Sequence, residues 1–131
     1  MKIIYPTETG VAIIHPTGEL SIEEVAAKDM PAGVPYRIVN DDEVPSDRTF
    51  RNAWKDEGGI KVDMGKAKDL TKNRLRADRK PLLEAQDVAF QRALESGAST
   101  AEIVKEKQRL RDITKQVDGI TSLDELKALG L

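Results

Sequence analysis

Apolar positions along this chain follow two regimes. In the first half they come in short β-branched runs, cut by Pro and Gly. In the second half they recur at helical spacing. Residues 2–5 and 11–15 read as strands, joined as a hairpin across Pro6 and Gly10, and Pro16-Thr17-Gly18 closes the second strand. Ser21-Ile22-Glu23-Glu24 has the form of a capping box, in which two side chains satisfy orphan backbone donors, and it opens a helix to about Lys28. Pro31-Ala32-Gly33-Val34-Pro35 forces a loop, because the prolines fix φ and the glycine permits a turn. Residues 36–39 follow as a third strand and Asn40-Asp41-Asp42-Glu43 as an acidic turn. Asp47-Arg48-Thr49-Phe50-Arg51-Asn52-Ala53-Trp54 then reads as a helix start capped by Ser46 or Asp47. Gly58-Gly59 stops it, and residues 60–62 form a brief strand.

Asp63 is the expected N-cap of a long helix from Met64, where Ala67, Leu70, Leu75 and Ala77 are sparse apolar positions. After Pro81 the signal strengthens. Leu82, Leu83, Ala85, Ala89, Phe90, Ala93 and Leu94 share one broad face, with Glu84, Gln91 and Glu95 opposite. Pro81 either starts a new helix or interrupts a continuous one. Gly97 stops the helix and Ser99 or Thr100 caps the next. That next helix carries Ile103, Leu110 and Val117 at seven-residue spacing, with Ile113 between, a narrow coiled-coil-like seam. So short a loop predicts an antiparallel helical hairpin. Ser122-Leu123-Asp124-Glu125 is a second capping box.

The expected fold is therefore α+β. A small β-containing N-terminal module (residues 1–62) precedes a mainly α-helical arm (residues 63–131). The arm has helices at about 64–80, 81–96, 99–117 and 122–129. Residues 47–54 stand near the joint between the two.

Composition adds limits. With 131 residues, 39% hydrophobic and only 4% aromatic, the core is thin. A compact globule of this size buries roughly 65–70% of its unfolded surface. A long helical surface is thus left for a partner or for copies of the same chain, so a homo-oligomer through the arm is one expectation. The chain has no Cys, which removes thiol catalysis, disulfides and Cys-based zinc sites. Pro6 interrupts the first apolar run too early for a secretory leader, and no run reaches the ~18–20 apolar residues of a membrane span. The net charge of −2 conceals an asymmetry. Residues 1–63 hold seven Lys/Arg and twelve Asp/Glu, a net of −5, and residues 64–131 hold fourteen and eleven, a net of +3.

No constellation assigns a catalytic residue, a cofactor or a metal. His15 is the only histidine, and no strand–Gly-x-Ser-x-Gly–helix turn accompanies it. Gly59-Ile60-Lys61-Val62-Asp63-Met64-Gly65-Lys66-Ala67 departs from a phosphate-binding loop twice. Five residues separate the glycines where four are needed, and Ala67 stands where a hydroxyl must hold magnesium. Asp41, Asp42, Glu43 and Asp47 lack the glycine and terminal glutamate of a calcium loop. Residues 66–80 hold seven Lys/Arg against Asp69 and Asp78, a local +5 that a nucleic-acid backbone or an acidic partner would meet. No aromatics interleave it, which weighs against single-strand stacking, and a solvated face with pairs such as Asp78–Arg74 is the simpler reading. Phe50 and Trp54, four apart, would share one helix face. They form either core or, with Arg48 and Arg51, an anchor patch of the kind favoured in interface hot spots.

Three stretches of the first half carry a family resemblance: Ile14-His15-Pro16-Thr17-Gly18, Pro31-Ala32-Gly33-Val34-Pro35-Tyr36-Arg37-Ile38-Val39, and Pro45 through Trp54. Together they resemble small proteins encoded in the tail-fibre regions of tailed bacteriophages and prophages. Arg79-Lys80-Pro81-Leu82-Leu83, Asp87 and Lys107-Gln108-Arg109-Leu110-Arg111-Asp112-Ile113 are similar to a pattern of phage tail assembly chaperone-like proteins. That pattern runs R-x-x-LL, then D, then Q-x-LRD-hydrophobic. The chain lacks the Trp that follows the Asp and the Trp- and Pro-rich C-terminal segment of that pattern. The resemblance implies no catalytic residues. It implies contact with other phage tail or tail-fibre proteins, in the finished virion tail or in the host cytoplasm during assembly. The contact residues expected from the whole survey are Arg48, Phe50, Arg51, Trp54, Ile103, Leu110 and Val117.

Overall fold

The computed structural model describes residues 1–131. It is a mixed α+β structure that divides into two compact units, Met1–Ala67 and Lys68–Leu131. The division falls within a helix, a few residues beyond the expected boundary, so residues 47–54 lie well inside the first unit.

The first unit is organised by β1 (Lys2–Thr7), which pairs antiparallel with β2 (Gly10–Ile14) on one side and β3 (Arg37–Val39) on the other. Side chains alternate across a strand, so adjacent Ile3 and Ile4 enter different cores. Ile3 opposes Ile14 and Ile38 in register, and all three lie with Val25 and Ala26 of α1 (Ile22–Asp29). Ile4 lies with Val11, Val39 and Trp54 on the other face. The capping box of α1 forms as its sequence predicts, with Glu24 N donating to Ser21 Oγ and Ser21 N to the Glu24 carboxylate.

Residues 47–54 do not form the expected helix. A single 3-10 turn, Arg51–Ala53, leads directly into β4 (Trp54–Asp56), which pairs antiparallel with β5 (Ile60–Val62) through Gly58-Gly59. Trp54 is extended, opposes Val62 and is 1% exposed. Burial of the indole against the sheet outweighs local helix preference, so Phe50 and Trp54 do not share a helix face. The backbone of Gly10 runs beside this strand. A Cβ there would lie 3.3 Å from the Trp54 carbonyl oxygen, at a φ of +156° that side chains rarely adopt.

α2 (Met64–Ser96) starts on the expected cap, with Lys66 N donating to Asp63 Oδ1 at 3.0 Å. It runs unbroken through Pro81. The expected pair of helices at 64–80 and 81–96 is one element, although proline lacks the N–H and crowds the carbonyl four residues back. It ends in a Schellman turn, with Gly97 at φ +70° and Ala98 N donating to Ala93 O.

In the second unit α3 (Ala101–Asp112) returns against α2 as an antiparallel hairpin. Lys107 Nζ lies 2.6 Å from Asp87 Oδ1 and 5.3 Å from the centre of the Phe90 ring. The expected helix over 99–117 is broken. α3 stops at Asp112, and α4 (Lys115–Asp118) follows after Ile113 and Thr114. Gln116 N and Val117 N bond to carbonyls three residues back, which tightens the turn. α5 (Leu123–Ala128) closes the unit. The expected second capping box does not form, because the Ser122 side chain makes no cap bond. Burial of Leu126 fixes the helix instead.

Candidate protein-binding loop and the basic face of the long helix

The loop before Trp54 is built from the buried residues outward. Phe50 is 9% exposed and Trp54 1%, so both anchor the segment in the first unit. Ala53 N donates to Phe50 O at 2.8 Å, and Asp63 N to Ala53 O at 2.8 Å, which ties both ends of the 3-10 turn. Asp47 Oδ1 accepts from Thr49 N at 3.0 Å and from Thr49 Oγ1 at 2.7 Å, an Asx turn that sets the loop entry. Arg51 N donates to Arg48 O at 3.1 Å. Asp47, Arg48, Thr49, Arg51 and Asn52 remain at the surface, the first and third bonded to each other. Neither guanidinium is engaged by a carboxylate or a carbonyl of its own chain. Two free planar forks held on a rigid turn suit bidentate capture of carboxylates.

The seven expected contact residues therefore separate. Arg48 and Arg51 stand at the surface, while Phe50 and Trp54 support them from the core. Leu110 is 1% and Val117 0% exposed, and Ile103 is half-buried. The heptad seam faces the interior of its own unit and offers a partner no open surface, because Ile113 and Thr114 stay in right-handed helical conformation and the seven-residue spacing keeps Val117 on the buried side of Leu110.

The basic stretch of α2 has a structural role that its charge count conceals. Arg79 Nη1 donates to Leu110 O at 3.2 Å and Arg111 O at 2.9 Å, at the end of α3. Lys72 Nζ lies 2.7 Å from Asp118 Oδ1 and Lys68 Nζ donates to Asp118 O at 3.2 Å, at the end of α4. Arg74 Nη2 donates to Leu126 O at 3.3 Å and Leu129 O at 2.6 Å, at the end of α5. Lys68, Arg74 and Arg79 meet carbonyls that a helix C-terminus leaves without an N–H partner, where positive charge is favoured, and Lys72 adds an ion pair with the carboxylate at the end of α4. Arg74 thus caps α5 in place of the expected pair with Asp78. The hydrogen bond from Lys72 holds the Asp118 carboxyl below its usual range.

The remaining chemistry of the first unit is an ion pair and a cleft. Arg37 grips Asp56 with both ends of its fork, Nε to Oδ2 at 2.9 Å and Nη2 to Oδ1 at 2.6 Å, joining β3 to β4. These bonds hold Asp56 below the usual carboxylate value, against the opposing effect of burial, and the Gly59 amide adds to them. His15 lines a cleft of about 270 Å³ with Glu19, Lys28 and Asp29. No three His, Asp or Glu residues come together to hold a metal ion. No helix is long and apolar enough to cross a membrane.

No protein-family model, curated protein or solved structure matches this chain.

Proposed function

We propose that the chain is a non-enzymatic bacteriophage tail protein, a structural or accessory component of the tail or tail-fibre apparatus that acts through protein–protein contacts. One observation carries this reading. Several of the residues that resemble the tail-chaperone pattern hold the helical hairpin, across it or within α3. Arg79 reaches the carbonyls of Leu110 and Arg111, Asp87 pairs with Lys107, Gln108 donates to Asp112, and Leu110 and Ile113 are buried. The resemblance thus resides in a scaffold, not in a reaction centre. The tail-region stretch at residues 45–54 ends in the loop that presents Arg48 and Arg51, the surface this reading assigns to a tail partner.

Two alternatives stand behind it. A transient tail assembly chaperone would use the same hairpin and leave the finished particle. A nucleic-acid-binding role through residues 66–80 would require a phosphate backbone to compete with the helix ends for Lys68, Lys72, Arg74 and Arg79. Mass spectrometry of purified tailed particles separates the first two. Peptides of this chain in the particles support the structural reading. Their absence from particles, with the chain present in the assembly lysate, replaces it with the chaperone. A low-salt DNA shift assay addresses the third, since retardation that fades with added salt would favour it.

A further inference from the structure

On the exposed side of α2, opposite charges flank an apolar residue at equal spacing. On α2, Val88 is 51% exposed and lies on the side of the helix turned away from Leu75, Phe90 and Ala93, which face α3 or the unit interior. Glu84 stands four residues before Val88 and Arg92 four residues after it. At 100° per residue these two flank Val88 symmetrically, one turn to either side. Both are exposed, and neither makes an ion pair or side-chain hydrogen bond within the chain. Pro81 and Ala85, small and exposed, extend the same face towards the N-terminus, and exposed Glu95 extends it towards the C-terminus, opposite the position Pro81 would take in a two-fold pair. A hollow of about 450 Å³ lined by Asp87, Val88, Gln91, Arg92 and Glu95 lies beside the central valine. The other exposed apolar side chains of α2, Leu82 and Leu94, point a third of a turn away on either side and do not belong to this face.

We infer that this face docks on a second copy of the chain, in an antiparallel two-fold pair centred on Val88. A two-fold interface uses one patch twice, so residue i meets j while j meets i. With Val88 on the axis, Glu84 of one copy faces the partner's Arg92, and Arg92 faces the partner's Glu84. The sequence then supplies two ion pairs from one opposite-sign couple. The small side chains of Pro81 and Ala85 let the helix axes approach to roughly 8–10 Å. A stripe of one sign, or unlike charges on one side of the valine only, would repel or leave one pair unmade. The face differs from the Ile103–Leu110–Val117 seam, which is turned inward. A single helix face is a small interface, at the low end of specific contacts, so the dimer is weak and reversible.

Sedimentation velocity on the full chain at rising concentration, to roughly 1 mM, tests this. The wild type forms a concentration-dependent dimer that weakens as salt is raised, because exposed ion pairs are screened. Reversing one member of the couple turns two attractions into two repulsions. Glu84→Arg and Arg92→Glu singly should each weaken association roughly tenfold or more. The double variant Glu84→Arg/Arg92→Glu restores the complementarity and should return to within about threefold of wild type. Far-UV circular dichroism confirms that each variant keeps its helix. A wild type that stays monomeric, a dimer insensitive to salt, single variants that associate as well as wild type, or a double variant that is not restored each overturns the inference. The phage-tail reading does not depend on it, since a monomer leaves that reading intact.

Discussion

Arg79 Nη1 lies 2.9 Å from the carbonyl oxygen of Arg111, on the opposite helix of the hairpin. In an uninterrupted α-helix that carbonyl would accept from the amide of Lys115, and the carbonyl of Leu110, also held by Arg79, from the amide of Thr114. The guanidinium stands in for those donors where the helix tightens after Asp112.

Replacing Arg79 with Met keeps the aliphatic stem and removes both bonds. Charge-assisted hydrogen bonds contribute roughly 1.5–3 kcal/mol, so a loss of about 1–3 kcal/mol in denaturant unfolding is expected. Hydrogen exchange should localise the weakening to residues 110–118. Arg79→Lys, with a point charge in place of a fork, should fall between the two.

Trp54→Ala is expected to cost about 3–5 kcal/mol, the range for deleting a buried large aromatic, and to disorder the first unit. Arg48→Glu/Arg51→Glu should leave that unit folded, because neither side chain is bound within it. Hydrogen exchange over residues 1–67 distinguishes the two, with protection lost in the first variant and kept in the second.

Asp56 titrates below its ordinary value in the folded chain because Arg37 binds its charged form. A lowered folded pKa adds stability that is fully present above the unfolded value of ~3.9 and is lost as pH falls through the folded value. The stability difference between wild type and Asp56→Asn should therefore be largest near neutral pH and shrink below about pH 4. Urea unfolding of both at several pH values checks this, and a difference that grows on acidification would contradict it.

Pro81 sits inside a continuous helix, exposed and without an N–H. Pro81→Ala should raise stability by about 1–3 kcal/mol, because an interior proline removes a bond and strains the turn before it. Had Pro81 opened a separate helix at its first turn, the change would be close to neutral.

Much of the fold was legible because local chemistry and tertiary structure agree. The Ser21 capping box, the β-branched runs around Ile3 and Val11, the Asp63 cap and the Gly97 stop each specify an element directly. The failures occur where a distant contact decides. Residues 47–54 contain good turn and helix residues, but Trp54 is extended because its indole completes the face of Ile4, Val11 and Val39. The seven-residue spacing of Ile103, Leu110 and Val117 is real, yet their seam faces the chain's own interior. That follows from the packing of α3 against α2, where Arg79 holds the carbonyls at the end of α3. The basic run on α2 reads, in the sequence, as a solvated or phosphate-binding face. The helix ends that take up Lys68, Lys72, Arg74 and Arg79 lie thirty or more residues away in sequence. Of the candidate site, Arg48 and Arg51 could be read directly, since exposure of charged loop residues needs no distant partner. The Glu84–Val88–Arg92 symmetry was also present in the sequence, as opposite charges equidistant from an apolar residue, but only the burial of the opposite helix face singles it out.

We propose that this chain joins a phage tail through the Arg48–Arg51 loop. Quantitative mass spectrometry of purified particles, assembled with the wild type or with Arg48→Glu/Arg51→Glu, tests it most directly. The expected result is peptides of the wild-type chain at a constant ratio to a known tail protein, and their loss in the folded double variant. Particles that lack the wild-type chain, or that incorporate the double variant equally well, would contradict it.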